Sequence, residues 1–276
     1  KTMDAYFAAK AKLFSFEFAD LAVINIDDAY GVKLQEITEL PVMTVSRHDQ
    51  SATWHFASIT RDYVGAHVAI RGSGGILIEG KVHLHGGYNF DNLLMAVAIA
   101  TESGIDPIDI AALLPHLTGA AGRLESVRLG QNFTALVDYA HSPDAVARVL
   151  ETAHEITDGR VIAVLGCGGD RDTSKRPLMG KALHDGADVS IFTSDNPRSE
   201  KPEEILVQMT LGLDIQEPSA VIVDRSTAIK TAVDEAQEGD LVLILGKGHE
   251  KGQEIAGVTH PFDDRVELAR AIEDKK

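Results

Sequence analysis

From residue 134 to the carboxyl terminus, short apolar runs alternate with segments that begin at proline or at a small polar residue. The apolar runs are predicted to be buried strands over Thr134–Val137, Val161–Leu165, Val189–Thr193, Ala220–Val223 and Leu241–Leu245. Helices are predicted to begin at Pro143, Pro177, Pro202, Ser226 and Asp264. This alternation predicts an α/β fold with a mostly parallel sheet and helices on both of its faces.

The first third of the chain has a different pattern. Apolar residues at helical spacing predict a helix over Met3–Phe18, and Leu21–Ile26 is predicted to be a buried strand. Shorter runs with turns at glycine predict a β-rich, antiparallel stretch over Val42–Val45, Thr53–Ile59, His67–Ile70, Ile76–Ile78 and Val82–Leu84. Asn89–Thr101 is predicted to be a helix, and Asp106 and Pro107 are predicted to open another as its N-cap and first residue.

The segment Leu117–Gly122 is rich in small residues and is the predicted linker. We therefore divide the chain into a first domain, residues 1–119, and a second domain, residues 120–276. The chain has 276 residues, which is enough for two domains that each bury a core.

Composition restricts the class of protein. A hydrophobic content of 44% and a charged content of 25% are typical of a globular protein. The net charge of -16 argues against a nucleic-acid partner, because binding to a phosphate backbone requires excess Lys and Arg. The single cysteine, Cys167, favours a reducing compartment, and we expect a cytoplasmic protein. No apolar stretch approaches the roughly 18 residues of a membrane helix, so we expect no membrane insertion.

Three predicted strands are each followed by glycine and charge, in Gly166–Asp172, Asp195–Arg198 and Gly246–Glu250. The carboxyl ends of parallel strands meet at one edge of a sheet, which is where such proteins hold their ligands. Arginine offers a bidentate contact to a carboxylate, and Glu250 can accept from an ammonium group. Each loop alone is equally compatible with an ordinary turn or a helix cap. Together they favour a site for a small zwitterion such as an amino acid.

Two further segments carry candidate ligand-binding side chains. In Asp138–Asp144, Tyr139 and His141 are planar groups suited to packing against a nucleotide base, although the segment also serves as a helix cap at Ser142. Asn89 and Asn92 are three residues apart near a predicted helix start, so both can face one ligand. Asn89 alone is equally a helix cap.

In order along the chain, the segments AYFAAKAKLF, NIDD, GGYNFDNLL, GRLE, DYAHSPDA, GCGGDRDTSKRPLMG, DNPR and GKGHE resemble the ATP-dependent Mur ligases of peptidoglycan synthesis. The resemblance covers essentially the whole chain and is strongest to the branch that adds meso-diaminopimelate. It implies that residues 1–119 are the C-terminal part of the central ATP-binding domain. It also implies that residues 120–276 are a Rossmann-like, amino-acid-binding C-terminal domain.

The resemblance also implies an activity. The enzyme would be an ATP-dependent acid–amino-acid ligase of peptidoglycan precursor synthesis. It would join meso-2,6-diaminopimelate to the D-Glu side-chain carboxylate of UDP-MurNAc-L-Ala-D-Glu through an acyl phosphate. ATP and Mg²⁺ are the implied cofactors, the two substrates are the implied partners, and we expect a monomer.

Site residues follow by matching positions to the family's motifs. The implied diaminopimelate-binding set is Arg171, Asp195, Asn196, Pro197, Arg198, Gly246 and Glu250. The implied nucleotide-binding set is Asn89, Asn92, Arg123, Tyr139 and His141. Lys10 matches the lysine that the family carbamoylates, and an anionic carbamate suits Mg²⁺. Arg198 is the mark of diaminopimelate use, because an arginine left unpaired by lysine penalises that substrate.

Two family features have no counterpart in this sequence, namely the amino-terminal UDP-sugar domain and a G-x-x-x-x-G-K-[ST] phosphate loop. We therefore expect the chain to be a fragment that is inactive alone. A lysine-adding Mur ligase and a folylpolyglutamate-synthetase relative stay open as alternatives, because they share the strand-end layout. A non-catalytic amino-acid-binding module is a further alternative, against which the presence of Lys10, Asn89 and Asn92 argues.

Overall fold

The computed structural model describes residues 2–276. The described chain forms two compact units. One contains the residues up to His83 together with Gly87–Leu117, and the other contains Leu84–Gly86 and Thr118–Lys276. The domain boundary between residues 119 and 120, and the role given to each domain, stay predictions.

The first unit is built on a five-stranded sheet in the order β1-β2-β3-β4-β5. Its strands are β1 (Ala22–Asn25), β2 (Val42–Ser46), β3 (Trp54–Asp62), β4 (Gly65–Arg71) and β5 (Leu77–Val82). Its helices are α1 (Met3–Ala11), α2 (Ala29–Ile37), α3 (Gly87–Glu102) and α4 (Pro107–Leu113), with 3₁₀ turns at Ser73–Gly75 and Leu114–His116. The start of α4 is as predicted, because Asp106 accepts from the Ile108 N–H and Pro107 is the first helical residue.

Several predictions for this unit were wrong in detail. The pairs β1–β2 and β2–β3 are parallel, and only β3, β4 and β5 are antiparallel. Helix α2, which was not predicted, supplies the crossover that a parallel pair requires. The first helix ends at Ala11 rather than Phe18. The strands predicted on either side of Gly80 are one strand. Gly80 marks no turn; it leaves room for Leu114, whose Cδ1 lies 2.9 Å from the position of an added Cβ.

The second unit has a six-stranded sheet in the order β10-β9-β8-β11-β7-β6. Its strands are β6 (Glu125–Ser126), β7 (Thr134–Asp138), β8 (Val161–Cys167), β9 (Val189–Ser194), β10 (Ala220–Val221) and β11 (Leu241–Leu245). All neighbouring pairs are parallel except β6–β7. Its helices are α5 (Pro143–Ile156), α6 (Lys175–Gly186), α7 (Pro202–Met209), α8 (Arg225–Glu235) and α9 (Asp264–Lys275). The predicted mostly parallel α/β fold is confirmed.

Helices cover both faces of this sheet, so its central strands are buried throughout. In β7, Leu136 packs into a core with α5, α6 and α7, whereas Ala135 and Val137 pack into a second core with α8 and α9. Burial on both sides explains why these strands read as continuous apolar runs. A two-stranded antiparallel ribbon, β12 (Gly252–Ile255) and β13 (Val258–Pro261), follows β11 and was not predicted.

Among residues 2–276, no helix combines the length and the apolar character needed to cross a membrane.

Candidate functional site

The strand order of the second unit places the carboxyl ends of β9, β8, β11 and β7 side by side. The three glycine- and charge-bearing segments follow β8, β9 and β11, and the segment with Tyr139 and His141 follows β7. All four contribute to the wall of one cavity of about 390 Å³. The site therefore lies at the sheet edge that the sequence indicated.

Most of the predicted diaminopimelate-binding set meets in this cavity. The lining residues from that set are Arg171, Asp195, Asn196, Arg198, Gly246 and Glu250. Pro197 lies one layer behind them, where its carbonyl oxygen is 1.9 Å from the position of an added Cβ on Gly169. Only glycine at position 169 allows the loops after β8 and β9 to approach this closely.

Asn196, Lys247 and Glu250 form a hydrogen-bonded triangle in the wall of the cavity. The Lys247 ammonium donates to Asn196 Oδ1 (3.0 Å) and to Glu250 Oε2 (3.3 Å). Asn196 Nδ2 donates to the same Glu250 oxygen at 2.9 Å, and the Glu254 N–H donates to Asn196 Oδ1 at 3.0 Å. Two donors on the amide oxygen fix the orientation of the Asn196 side chain. Lys247 was missed from the sequence.

Asp195 is a buried carboxylate in the same wall. Within residues 2–276, nothing donates a hydrogen bond to its carboxylate oxygens; its backbone oxygen accepts from Gln253 Nε2 at 2.7 Å. Burial raises the pKa of Asp195, and the positive charges of Arg225 and Lys247 oppose that rise. A buried carboxylate without a donor is costly, which makes it a strong acceptor for a cationic ligand group.

Gly246 shapes the space beside this carboxylate. Its φ of +108° lies in the region that side chains rarely adopt, and an added Cβ would lie 2.8 Å from Asp195 Oδ2. The glycine therefore permits both the turn after β11 and the approach of Asp195.

A fully buried ion pair lies behind the cavity. Arg225, the first residue of α8, pairs with Asp264, the first residue of α9, through Nε–Oδ1 (2.8 Å) and Nη2–Oδ2 (2.7 Å). The same guanidinium donates to the carbonyls of Ser194 (3.1 Å) and Leu245 (2.9 Å), at the ends of β9 and β11. The pair thus fixes the two strand ends from which the site loops begin. No sequence pattern marked either residue as buried.

The charges of this region do not cancel. Asp195, Glu250 and Asp264 contribute three carboxylates, whereas Arg225 and Lys247 contribute two cations, and these five groups interact electrostatically. These five groups therefore carry one excess negative charge, while Arg171, Asp172, Lys175, Arg176 and Arg198 add further charges in the cavity lining. Because an unpaired buried charge is unfavourable, the arrangement is complementary to one ammonium group of a ligand.

Arg198 also lines the cavity and is held by its backbone and by its side chain. Its φ is +51°, its N–H donates to the Glu254 carbonyl (2.9 Å), and its carbonyl accepts from the Ala256 N–H (2.7 Å). Its Nη1 donates to the Gly169 carbonyl (2.6 Å), and its Nε is 3.3 Å from Glu254 Oε2. The ribbon of β12 and β13 therefore positions this guanidinium at the cavity.

Arg171, on the loop after β8, provides the second guanidinium. It is exposed, and within residues 2–276 it makes no hydrogen bond or ion pair. Two arginines from neighbouring loops thus line the cavity, one held in place and one free to move onto a ligand. A carboxylate is the group that such a pair binds best.

Arg176 is a further cavity-lining residue that the predicted set did not contain. It is buried and pairs with both oxygens of Glu200, with Nη1–Oε2 at 2.7 Å and Nη2–Oε1 at 2.8 Å. Glu200 also accepts from the Asp170 N–H at 2.7 Å. These hydrogen bonds, first that of Arg176, lower the pKa of Glu200 to about 2. The pair links the loops after β8 and β9.

The predicted nucleotide-binding residues form two groups. In the second unit, the Tyr139 ring lies 4.7 Å from the His141 ring, and the Arg123 guanidinium is 5.9 Å from the Tyr139 centroid. In the first unit, Asn89 is buried and Asn92 is exposed, both near the start of α3. His249, which was not predicted, adds a third ring 5.6 Å from Tyr139.

Lys10 is exposed on α1, with its Nζ 4.9 Å from the centroid of the Tyr6 ring. An unmodified ammonium group cannot bind a metal cation. The part of the chain that the structure describes contains no cluster of three or more His, Cys, Asp or Glu side chains suited to a metal ion.

The fold and the strand-end site place the chain among ligases of one family. Residues 1–100 match the Mur ligase middle domain, and residues 122–248 match the Mur ligase, glutamate ligase domain. The chain belongs to the Mur ligase family.

Two similar proteins carry the same name. The UDP-N-acetylmuramoyl-L-alanyl-D-glutamate–2,6-diaminopimelate ligase of Streptomyces coelicolor is 44% identical over 98% of this chain and 54% of its own length. The ligase of the same name from Aquifex aeolicus is 42% identical over 96% of this chain and 54% of its own length. The chain thus spans about half the length of these relatives.

Solved structures agree with this assignment. A structure of UDP-N-acetylmuramoyl-L-alanyl-D-glutamate–2,6-diaminopimelate ligase superposes with a TM-score of 0.77 at 40% identity, covering 99% of this chain and 57% of that one. A Mycobacterium tuberculosis folylpolyglutamate synthase complexed with ADP and AMPPCP gives a TM-score of 0.61 at 18% identity, covering 89% and 57%. That second likeness shows the fold alone.

Proposed function

We propose that this chain carries the acceptor-binding part of an ATP-dependent ligase that adds meso-2,6-diaminopimelate to UDP-MurNAc-L-Ala-D-Glu. The observation that carries the proposal is the presence of both a buried carboxylate and two arginines in the lining of one cavity. The buried Asp195 carboxylate has no hydrogen-bond donor among residues 2–276, while Arg198 and Arg171 line the same space. A ligand with both an ammonium and a carboxylate group can pair with the carboxylate and with the arginines.

Diaminopimelate fits this distribution better than an amino acid with one carboxylate. In the proposed mode, Asp195 and Glu250 accept from an ammonium group, while Arg198 and Arg171 bind the distal carboxylate. Lysine lacks that carboxylate, so it leaves Arg171 without a ligand contact and adds no partner to Arg198, whose Nε already lies 3.3 Å from Glu254 Oε2. A site built for a polar group rejects ligands that lack it, because its own groups are then left unpaired.

The proposed reaction has two steps. The D-Glu side-chain carboxylate accepts the γ-phosphoryl group of ATP, which gives an acyl phosphate and ADP. The acceptor's amino group, after losing a proton, attacks the acyl carbon; the C–N bond forms as the C–O bond to phosphate breaks. The role proposed for the cavity is to hold and orient the acceptor, since positioning lowers the barrier of such an attack.

The rings of Tyr139 and His141 and the guanidinium of Arg123 are proposed to contact the nucleotide. Planar rings and a guanidinium provide surfaces against which a base stacks. Asn89 and Asn92, near the start of α3, stay proposed nucleotide-binding residues. Lys10 stays a proposed site of carbamoylation, and its contribution to metal binding depends on that modification.

The alternatives differ in what the cavity prefers. A lysine-adding ligase needs no guanidinium for a distal carboxylate, whereas both Arg198 and Arg171 line this cavity. The folylpolyglutamate synthase likeness is limited to the fold at 18% identity. The relatives that share 44% and 42% identity favour the diaminopimelate ligase over both.

Titration calorimetry of the chain with meso-diaminopimelate and, separately, with L-lysine tests the proposal. We expect meso-diaminopimelate to bind at least tenfold more tightly, which corresponds to about 1.4 kcal/mol. Equal affinities, or tighter binding of lysine, would contradict the proposed acceptor. Binding of neither compound would remove the support that the cavity gives to the function.

A further inference from the structure

Lys247 is a fully buried charged side chain directly behind the cavity wall, next to the lining residue Gly246. Its side chain has no solvent exposure, and its ammonium donates to Asn196 Oδ1 and Glu250 Oε2. It therefore does not offer its charge to a ligand directly. Burying a lysine ammonium group costs free energy unless nearby acceptors compensate for its lost hydration. Here the acceptors are Asn196 and Glu250, which line the cavity proposed to bind the ligand.

The geometry gives this ammonium two effects. It donates to the Asn196 oxygen, which turns the amide nitrogen toward Glu250 at 2.9 Å. It also lies close enough to Asp195 to favour the ionised carboxylate. Without this cation, Asn196 and Glu250 would lose the donor that they share, and Asp195 would keep Arg225 as its remaining neighbouring cation.

We propose that Lys247 is a positioning residue that orients Asn196 and Glu250 in the cavity for the ligand's ammonium group. This role rests on the proposed function, because it concerns the same cavity. Lys247 acts through these neighbours and makes no contact with the ligand itself.

The loss of ligand binding as the pH falls tests this role. Asp195 interacts electrostatically with Arg225, Lys247, Glu250 and Asp264, and its negative charge also raises the pKa of the neutral Cys167 thiol. Burial already raises its pKa, and Lys247 opposes that rise. Removing the ammonium therefore raises the pKa further, so the carboxylate that binds the ligand is lost at a higher pH.

The experiment compares the unaltered chain with Lys247→Met and Lys247→Gln by calorimetry with meso-diaminopimelate between pH 5 and pH 8. We expect at least tenfold weaker binding by Lys247→Met at pH 7.5. In both variants we also expect binding to be lost at a higher pH. The midpoint of this loss should rise by about one pH unit, as removal of a nearby opposite charge predicts. Lys247→Gln keeps a donor for Asn196 and should lose less affinity at high pH.

Lys251→Met is the matched control, because Lys251 is exposed four residues further along the chain. It should leave both the affinity and the midpoint unchanged. An altered melting temperature with an unchanged midpoint in both Lys247 variants would overturn the proposal and leave Lys247 a purely structural residue.

¹³C NMR titration of the Asp195 carboxyl group distinguishes failure of the proposed function from failure of the role proposed for Lys247. If the unaltered chain does not bind meso-diaminopimelate, the proposed function fails, and the titration of Lys247→Gln still tests Lys247. If neither variant folds, the unaltered chain decides. An Asp195 carboxyl that is ionised at pH 7 supports the role, and one that is neutral at pH 7 overturns it.

Discussion

Arg225 and Asp264 are joined by two hydrogen bonds of 2.8 and 2.7 Å, with both side chains completely buried beneath the ends of β9 and β11. The guanidinium also holds the carbonyls of Ser194 and Leu245. The pair therefore connects the packing of α8 and α9 to the position of the site loops. Loss of one partner would leave the other as an isolated buried charge.

Asp264→Ala should lower the free energy of unfolding by about 3–5 kcal/mol, because it leaves the Arg225 charge unpaired in the interior. Urea unfolding followed by circular dichroism measures the loss. Asp274→Ala, at an exposed position of the same helix, should change stability by no more than about 0.5 kcal/mol. A loss below about 1 kcal/mol at Asp264 would contradict the structural importance of the pair.

Arg198→Ala should reduce the affinity for meso-diaminopimelate by roughly 10- to 100-fold, as expected for loss of a charged hydrogen-bonding partner. The affinity for lysine should change by no more than about twofold, so that the preference largely disappears. Calorimetry with both ligands gives the two numbers. Arg148→Ala, an exposed arginine on α5, is the control. A preference that persists in Arg198→Ala would rule out the arginine as the source of selectivity.

Gly246→Ala should destabilise the chain and weaken ligand binding together. The substitution adds a Cβ 2.8 Å from Asp195 Oδ2 at a φ of +108°. Gly257→Ala is a matched control, because its φ is +77° but nothing lies within 4 Å of an added Cβ. The control should cost only the backbone strain of about 1–2 kcal/mol and leave binding intact. Thermal unfolding and calorimetry on both variants separate strain from displacement of Asp195.

Glu200→Gln should reduce the dependence of the free energy of unfolding on acidic pH. The pKa of Glu200 is lowered from its ordinary 4.5 to about 2, chiefly by the hydrogen bonds from Arg176. A lowered pKa stabilises the fold above the unfolded value, and that contribution is lost as the pH falls from about 4.5 toward 2. The stability difference between the unaltered chain and Glu200→Gln should therefore shrink across this range. Urea unfolding at pH 7, 4.5 and 3 checks it, and a constant difference would be evidence against the pairing.

Cys167 should react very slowly with thiol reagents while the chain is folded. Burial raises the pKa of its thiol to about 12, with a smaller contribution from the negative charge of Asp195. Because the thiolate is the reactive form, little of it is present at pH 8. Labelling with a chromogenic disulfide should become rapid only in denaturant. Rapid stoichiometric labelling in native buffer would show that the cavity wall opens readily.

The sequence predicted the second unit better than the first because of how each is packed. Burial on both faces makes every central strand of the second unit a continuous apolar run, so β7, β8, β9 and β11 were all located correctly. In the first unit, α1 and α2 bury no residues, and the pattern gave the wrong end for α1 and no sign of α2. Strand pairing there depended on that missed crossover helix.

By itself the sequence determined which residues lie at the carboxyl ends of the strands, because apolar runs that end in glycine and charge are a local property. It could not show that Lys247 is enclosed, that Arg225 pairs with Asp264 across 39 residues, or that Asp195 receives no donor among residues 2–276. Those relationships depend on the strand order and on which loops become neighbours. Burial and partner choice arise only when distant segments pack together, and for that reason the tertiary structure alone decided them.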